Sequence, residues 1–223
     1  MMKDIKAVKG RYLIQRLVEE GEHERQDFKF AISDARKIAR SISAFANHSG
    51  GCLLIGVKDN GAIAGVRNEE DIYVVEQAAT MCCEPPQQVT FDAFKVEAGV
   101  VVIRATVEAA DERPVRVIEA DGTRRAYFRV ADENIAAHPL MVRAWRHSRD
   151  DSGAQAFLLD DSATALLAAV RRAGGTAIPD RLPLELHRSA RATDDIIVRL
   201  AAIGLLEFRY DGHRFAIAIP DND

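Results

Sequence analysis

Excess positive charge is the first thing missing from this chain of 223 residues: 30 lysines and arginines stand against 34 acids, a formal net charge of −4. A protein that coats nucleic acid regardless of sequence is basic overall, so that class is excluded and any nucleic-acid site has to be a local patch. The acids are unevenly placed. Residues 150–223 hold 8 of the basic residues and 12 of the acidic ones, which leaves 22 of each in the first 149. Cysteine is scarce too. Cys52, Cys82 and Cys83 form no Cys-x-x-Cys pair, which argues against structural zinc or a disulfide framework and for a cytoplasmic setting. No apolar run approaches the roughly 18 residues of a membrane span, and the first residues lack the layout of a secretion signal, so no membrane partner is expected. Internal repeats and low-complexity segments are missing. Gly50-Gly51 lacks the Gly-Lys-Ser/Thr ending of a phosphate loop and precedes a strand, so it reads as a helix stop.

What is present is an apolar content of 48%, enough for one medium domain and a small second one. Residues 4–20 read as a helix with Ile5, Val8, Tyr12, Leu13 and Leu17 on one side. Residues 25–30 alternate with period two: Gln26, Phe28 and Phe30 face a core, while Arg25, Asp27 and Lys29 face outward. Ser33, as N-cap, and Asp34 open a helix whose stripe is Ala35, Ile38, Ala39, Ile42, Phe45 and Ala46, with Arg36, Lys37 and Arg40 opposite. Residues 52–57 are continuously apolar, as expected of a strand covered on both faces. Asp59-Asn60-Gly61 then turns the chain into residues 62–66. A helix over 69–83 stopped by Pro85-Pro86, a hairpin of 89–96 with 100–107, strands over 115–119 and 124–130, and a closing helix over 135–149 with Met141, Val142 and Trp145 inward complete the pattern. This predicts an α+β fold, a mixed and mostly antiparallel sheet with flanking helices, in a domain spanning 1–149. Asp150-Asp151-Ser152-Gly153 reads as a linker to a domain spanning 150–223. There, helices over 163–173, 182–189 and 193–203 and a hairpin of 205–210 with 214–219 follow the winged-helix order.

Three carboxylates, Glu22, Asp27 and Asp59, and the amine of Lys29 lie at the edges of these apolar elements. If they converge, the acids are candidate ligands for Mg²⁺ or Mn²⁺, ions that want carboxylate oxygens and open positions for phosphate. Such ions activate water and neutralise a leaving oxygen in phosphodiester hydrolysis, with Lys29 stabilising the phosphoryl charge. If they do not, Glu22 is a solvated helix-end acid, Asp27–Lys29 a surface ion pair worth ~0–1 kcal/mol, and Asp59 a turn former. A gentler use of the same region is backbone binding by Lys29, Arg36, Lys37, Arg40, Arg124, Arg125 and Arg129, which requires no cofactor. Tyr127 and Phe128 are too few for a stacking platform. His48 suits a helix C-terminus better than catalysis. In the second domain, Asp194 and Asp195 put two acids at the start of the helix that would meet DNA, partly offset by Arg188, Arg191, Arg209, His213 and Arg214.

Glu22, Asp27-Phe28-Lys29, the Ala-Phe-Ala-Asn-His-Ser-Gly-Gly run ending at Gly51, Leu54-Ile55-Gly56-Val57 with Asp59 and Gly61, and Tyr127-Phe128-Arg129-Val130 together resemble the Schlafen-type, Alba-like domain over residues 10–148. Asp27 replaces a more usual Glu, and Ala131-Asp132-Glu133-Asn134 replaces a Gly-Ser-Ser-type turn. The resemblance implies nucleic-acid binding with a regulatory, transcriptional role. Some relatives imply instead a metal-dependent RNA endonuclease with Glu22, Asp27 and Asp59 on the metal. The acidic balance keeps open a third reading, an interaction module that forms homo-oligomers through the N-terminal helix or the winged helix.

Overall fold

The computed structural model describes residues 6–67, 70–150 and 160–221. Its chain divides into two compact units, Met1–Ala136 and Ala137–Asp223. The fold is α+β with mostly antiparallel sheets.

In the first unit β1 (Val8–Lys9), α1 (Arg11–Glu20), β2 (Gln26–Lys29), α2 (Ala35–Asn47) and β3 (Gly51–Ile55) are followed by α3 (Glu70–Met81) and β4 (Cys83–Glu84). The hairpin strands β5 (Val89–Glu97) and β6 (Val100–Val107) come next, then β7 (Arg116–Ile118), β8 (Arg124–Val130) and β9 (Glu133–Ala136). Five strands form one sheet in the order β1-β5-β6-β3-β2, with β2 parallel to β3 at one edge. A second, antiparallel sheet runs β4-β7-β8-β9.

The large sheet is covered on both faces, which explains the unbroken apolar run of β3. Leu54 joins Ile14, Phe28, Phe94 and Val102 in one cluster together with the apolar side of α1. Leu53 and Ile55 point the other way, into a larger cluster with Ile38, Ile42 and Phe45 of α2 and Val117 and Tyr127 of the second sheet. Alternation along β2 follows the same rule. Phe28 packs on the α1 side, while Asp27 faces α2 and is only 4% exposed. The outward face expected for Asp27 is therefore an interior, because α2 and the second sheet close over it.

Several boundaries differ from expectation. The predicted helix over 4–20 is broken at Gly10, where a Cβ would sit 2.4 Å from the Phe94 ring. Val8 instead pairs with β5, and Tyr12 lies on the open surface while Ile14 is the fully buried residue of α1. The cap of α2 is Asp34, whose carboxylate accepts the N–H groups of Arg36 and Lys37. Residues 62–66 form a single bridge, Val57 with Ile63, in place of a strand. Tyr127 and Phe128 are both core.

The second unit holds α4 (Pro139–Asp150), α5 (Asp161–Arg172), β10 (Thr176–Ala177), a turn of 3₁₀ helix at Pro179–Arg181, α6 (Leu182–Glu185), α7 (Ala190–Ala202), β11 (Glu207–Tyr210) and β12 (Phe215–Ala218). Its antiparallel sheet has the order β10-β12-β11. Asp160 and Ser189 cap α5 and α7. The expected division at 149/150 shifts to 136/137: residues 133–136 are strand, and Leu140 and Ala144 of α4 bury in one cluster with Leu166, Ile197 and Leu200. Most of the predicted linker, residues 151–153, lies outside the described residues, as do Ile5 and Glu69. The expected helix over 182–189 stops at Glu185, and His187 takes a positive φ of 50°.

Candidate nucleic-acid interface and acidic cluster

The run from Ala44 to Gly51 builds the scaffold. Asn47, at the last turn of α2, is buried, and its amide donates to the carbonyls of Val115 and Tyr127 at 2.8 and 2.9 Å. Its Oδ1 accepts the Val115 N–H at 2.7 Å. One side chain thus satisfies three backbone groups that no strand ladder reaches. Gly50 turns the chain at φ 74°, and a Cβ on Gly51 would lie 2.4 Å from the Phe45 ring. The Asn and Gly of this motif are architectural. His48 lies 4.0 Å from Glu24 beside the end of α2.

Between this scaffold and β2 sits a polar network. Lys29 Nζ donates to Asp27 Oδ2 at 2.8 Å and to the Phe28 carbonyl at 2.7 Å. Ser41 Oγ donates to the same Oδ2 at 3.2 Å, and Asn134 Nδ2 donates to Ser41 Oγ at 2.9 Å. Asn134 Oδ1 accepts from Arg129 Nη1 at 3.0 Å, and Arg129 Nη2 donates to the carbonyls of His23 and Gln26 at 3.0 and 3.3 Å. Arg129 Nη1 stands 3.8 Å from Asp27 Oδ1, and the guanidinium lies over the Phe45 ring at 5.1 Å. Glu22 Oε1 accepts the Phe28 N–H at 2.7 Å. Burial, followed by the nearby Asp27 carboxylate, pushes the Glu22 carboxyl above its ordinary range, against the Phe28 N–H and the Lys29 charge. Burial also holds the Arg129 guanidinium below its ordinary range, opposed chiefly by Asp27 and Glu22.

Glu22, Asp27 and Lys29 therefore converge. Asp59 does not join them: it is exposed on its turn, and no hydrogen bond or ion pair links it to Glu22 or Asp27. Among the described residues no group of three His, Cys, Asp or Glu side chains is arranged to hold a metal ion. Both Asp27 oxygens already face donors, Lys29 and Ser41 on one and Arg129 near the other. A hard divalent cation needs several free oxygens, so the donor set as arranged does not fit one.

The basic candidates separate into three kinds. Arg129 has a fully buried side chain and cannot reach a ligand, which corrects its expected role in the backbone-binding patch. Arg40 forms a two-pronged pair with Glu119, Nε to Oε1 at 3.1 Å and Nη2 to Oε2 at 2.7 Å, and Arg124 pairs with Glu84. Arg36, Lys37 and Arg125 are exposed and form no ion pair among the described residues. Arg36 and Arg40 share one face of α2, and Arg40 and Arg125 both act on Glu119. Glu119, held low first by Arg40 and also bonded by the Tyr127 hydroxyl, is a part of this patch that sequence reasoning missed.

Also missed were Ser41 and Asn134, polar residues without a charge to draw attention, and a cluster around Phe30. Lys58 Nζ lies 5.1 Å and the Arg67 guanidinium carbon 5.6 Å from the Phe30 ring centre. Lys58 extends from the turn that Asp59-Asn60-Gly61 forms, which gives that turn its place in the surface.

In the second unit the Asp195 carboxylate pairs with Arg143 of α4. Burial first, and Asp195 among the neighbouring charges, raise the Asp194 carboxyl. Of the offsetting cations, Arg209 is bound to Glu207 and Asp221, and Arg214 Nε lies 3.5 Å from Asp211. Arg188, Arg191 and His213 are exposed.

The family model for Schlafen, AlbA_2 matches residues 22–138, and the chain belongs to that family. Among solved structures, the chain is similar to the DIP2311 protein from Corynebacterium diphtheriae, at 23% identity and a TM-score of 0.41. That match covers 67% of this chain and 30% of the other, so the chain spans under a third of that protein's length. It is also similar to the N-terminal domain of a RecG-related protein from Nitrosomonas europaea, at 19% identity and a TM-score of 0.40, covering 59% of this chain and 96% of the domain. No curated protein matches it.

Proposed function

We propose that the first unit binds nucleic acid through the face formed by α2 and β8, and that it does so without cleaving it. Family membership over 22–138 supports a nucleic-acid-related role. The observation that carries the reading is the pair Arg36 and Lys37, both exposed on the first turn of α2 and unpaired among the described residues, beside Arg40 and Arg125. Arg40 and Arg124 share their charge with Glu119 and Glu84, so Arg36, Lys37 and Arg125 are the ready phosphate contacts. With few contacts and a balanced net charge, binding is moderate and fades with salt.

The test is an anisotropy titration of labelled duplex DNA and of labelled RNA at two salt concentrations. The double variant Arg36→Gln, Lys37→Gln is expected to weaken binding and to flatten the log–log salt slope by about 2, near 0.9 per lost phosphate contact. A wild-type protein that binds neither ligand at low salt, or a slope the variant leaves alone, refutes the reading.

The second unit, in which α4 is followed by a helix, a strand, two helices and a hairpin, is read as a winged helix. Its use here is association of two copies rather than base reading, because Asp194 and Asp195 stand in the second turn of α7 and Arg209 and Arg214 already have acidic partners. A regulatory, cytoplasmic factor combines the two activities. Among the described residues no helix is long and apolar enough to cross a membrane. Sedimentation equilibrium that finds monomers at all concentrations removes the association role.

A further inference from the structure

Phe30 is half-buried just past the end of β2, yet among the described residues it belongs to none of the three apolar clusters. A phenylalanine at a sheet edge ordinarily turns into a core. This one carries two cations instead, Lys58 and Arg67, at 5.1 and 5.6 Å from the ring centre. Both cations come from anchored backbone. Lys58 N–H donates to the Ala62 carbonyl and Lys58 accepts from Gly61, while Val66, next to Arg67, donates to Val101. Gly56 and Gly65 hold these two segments together so tightly that a Cβ on Gly56 would lie 2.6 Å from the Gly65 carbonyl carbon. Among the described residues the acids of the adjoining segments are Asp59 on the same turn, Glu70, and Asp71, which is buried and whose charge is coupled to that of Arg67. Lys29 precedes Phe30 directly. The strand end thus carries a half-buried ring with two cations over it, all three side chains rooted in anchored backbone.

From this we infer that Phe30, Lys58 and Arg67 form a stacking site for one unpaired base of a single-stranded nucleic acid, the two cations swinging off the ring onto the flanking phosphates as the base takes their place. The inference rests on the nucleic-acid reading above and adds the class of substrate. Every base has a face to stack, so the site is indifferent to sequence, and a paired base inside a duplex offers it nothing. Charge on the two cations alone would favour both forms of nucleic acid. The ring is what distinguishes them.

The experiment titrates a labelled oligothymidine of about a dozen nucleotides, and its duplex with oligoadenosine, with the full chain and with Phe30→Leu and Phe30→Trp. Phe30→Leu is expected to weaken single-strand binding about tenfold and leave duplex binding as it was; Phe30→Trp keeps both. Trp145 is the only tryptophan, so in a Trp145→Phe background the emission of the Phe30→Trp variant should be quenched by oligothymidine and not by duplex. That second readout decides the matter if Phe30→Leu does not fold. Unchanged single-strand affinity in the leucine variant, equal loss on both ligands, or an unquenched emission overturns the stacking site alone. A wild-type chain that binds neither ligand overturns the underlying reading with it.

Discussion

Arg129 and Asp27 face each other at 3.8 Å inside the protein, one from the second sheet and one from the edge of the first. The guanidinium is also spent on two carbonyls and on Asn134. This pair is the centre of the polar network, and it makes Arg129, expected among the backbone-binding cations, into a structural residue.

Replacing Arg129 with Met takes from the buried Asp27 the counter-charge beside its Oδ1, leaving Lys29 on the other oxygen, and frees the carbonyls of His23 and Gln26. The expected loss is about 3–5 kcal/mol of unfolding free energy, read from urea denaturation. The folded fraction should bind nucleic acid with wild-type affinity. A stable Arg129→Met protein with weakened binding would return this residue to the interface.

Asn47→Asp is nearly the same size but turns an oxygen toward the carbonyls of Val115 and Tyr127 where an amide now donates. We expect a loss of about 3 kcal/mol or more, with Asn47→Ala close behind, because buried acceptors are left without donors. Thermal melting checks this. A variant that melts with the wild type would mean that α2 and the second sheet do not depend on this link.

Two acids should give opposite pH dependences. Glu22 is held above its ordinary 4.5, so its contribution to stability is complete below that value and is lost as pH rises through its folded value. Glu119 is held below 4.5, first by Arg40, so its contribution is present above 4.5 and is lost as pH falls through its folded value. Glu22→Gln is therefore expected to raise the urea midpoint at neutral pH, with the gain shrinking toward pH 4.5. Glu119→Gln is expected to lower it at neutral pH, with the loss shrinking in acid. Midpoints measured at the two pH values check both signs at once.

Incubation with transfer RNA and Mn²⁺ should give no cleavage above background in the wild type, and Asp59→Ala should behave identically. Cleavage that depends on Asp59 would show that the turn closes on Glu22 and Asp27 when metal and RNA are present, and would restore the endonuclease reading.

Much of the first unit is legible in the residues because its elements are long and periodic. The alternation of β5 and β6 and the stripe of α2 identify themselves, and Gly99 and Gly122 mark the turns between strands. The short strands are not legible: β4 and β10 have two residues each and carry no period at all. Burial of charge is the larger omission. Alternation assigns Asp27 to the correct face of β2, but nothing local says that α2 and a second sheet cover that face. Arg129 is misread for the same reason. Asp59 fails differently, since spacing along a chain does not report whether a turn folds back over a neighbouring strand. Phe30 is legible only as core, because no local pattern tells a buried phenylalanine from one dressed in cations.

Arg129 and His23 are joined by a hydrogen bond although 106 positions separate them. During synthesis, the segment holding Glu22 and Asp27 leaves the ribosome long before the strand that fastens it down. Until Asn134 has emerged as well, those acids have only near neighbours in the chain for company, Lys29 and Ser41 for Asp27 and the Phe28 N–H for Glu22, and the nascent protein offers a loose edge rather than a finished surface.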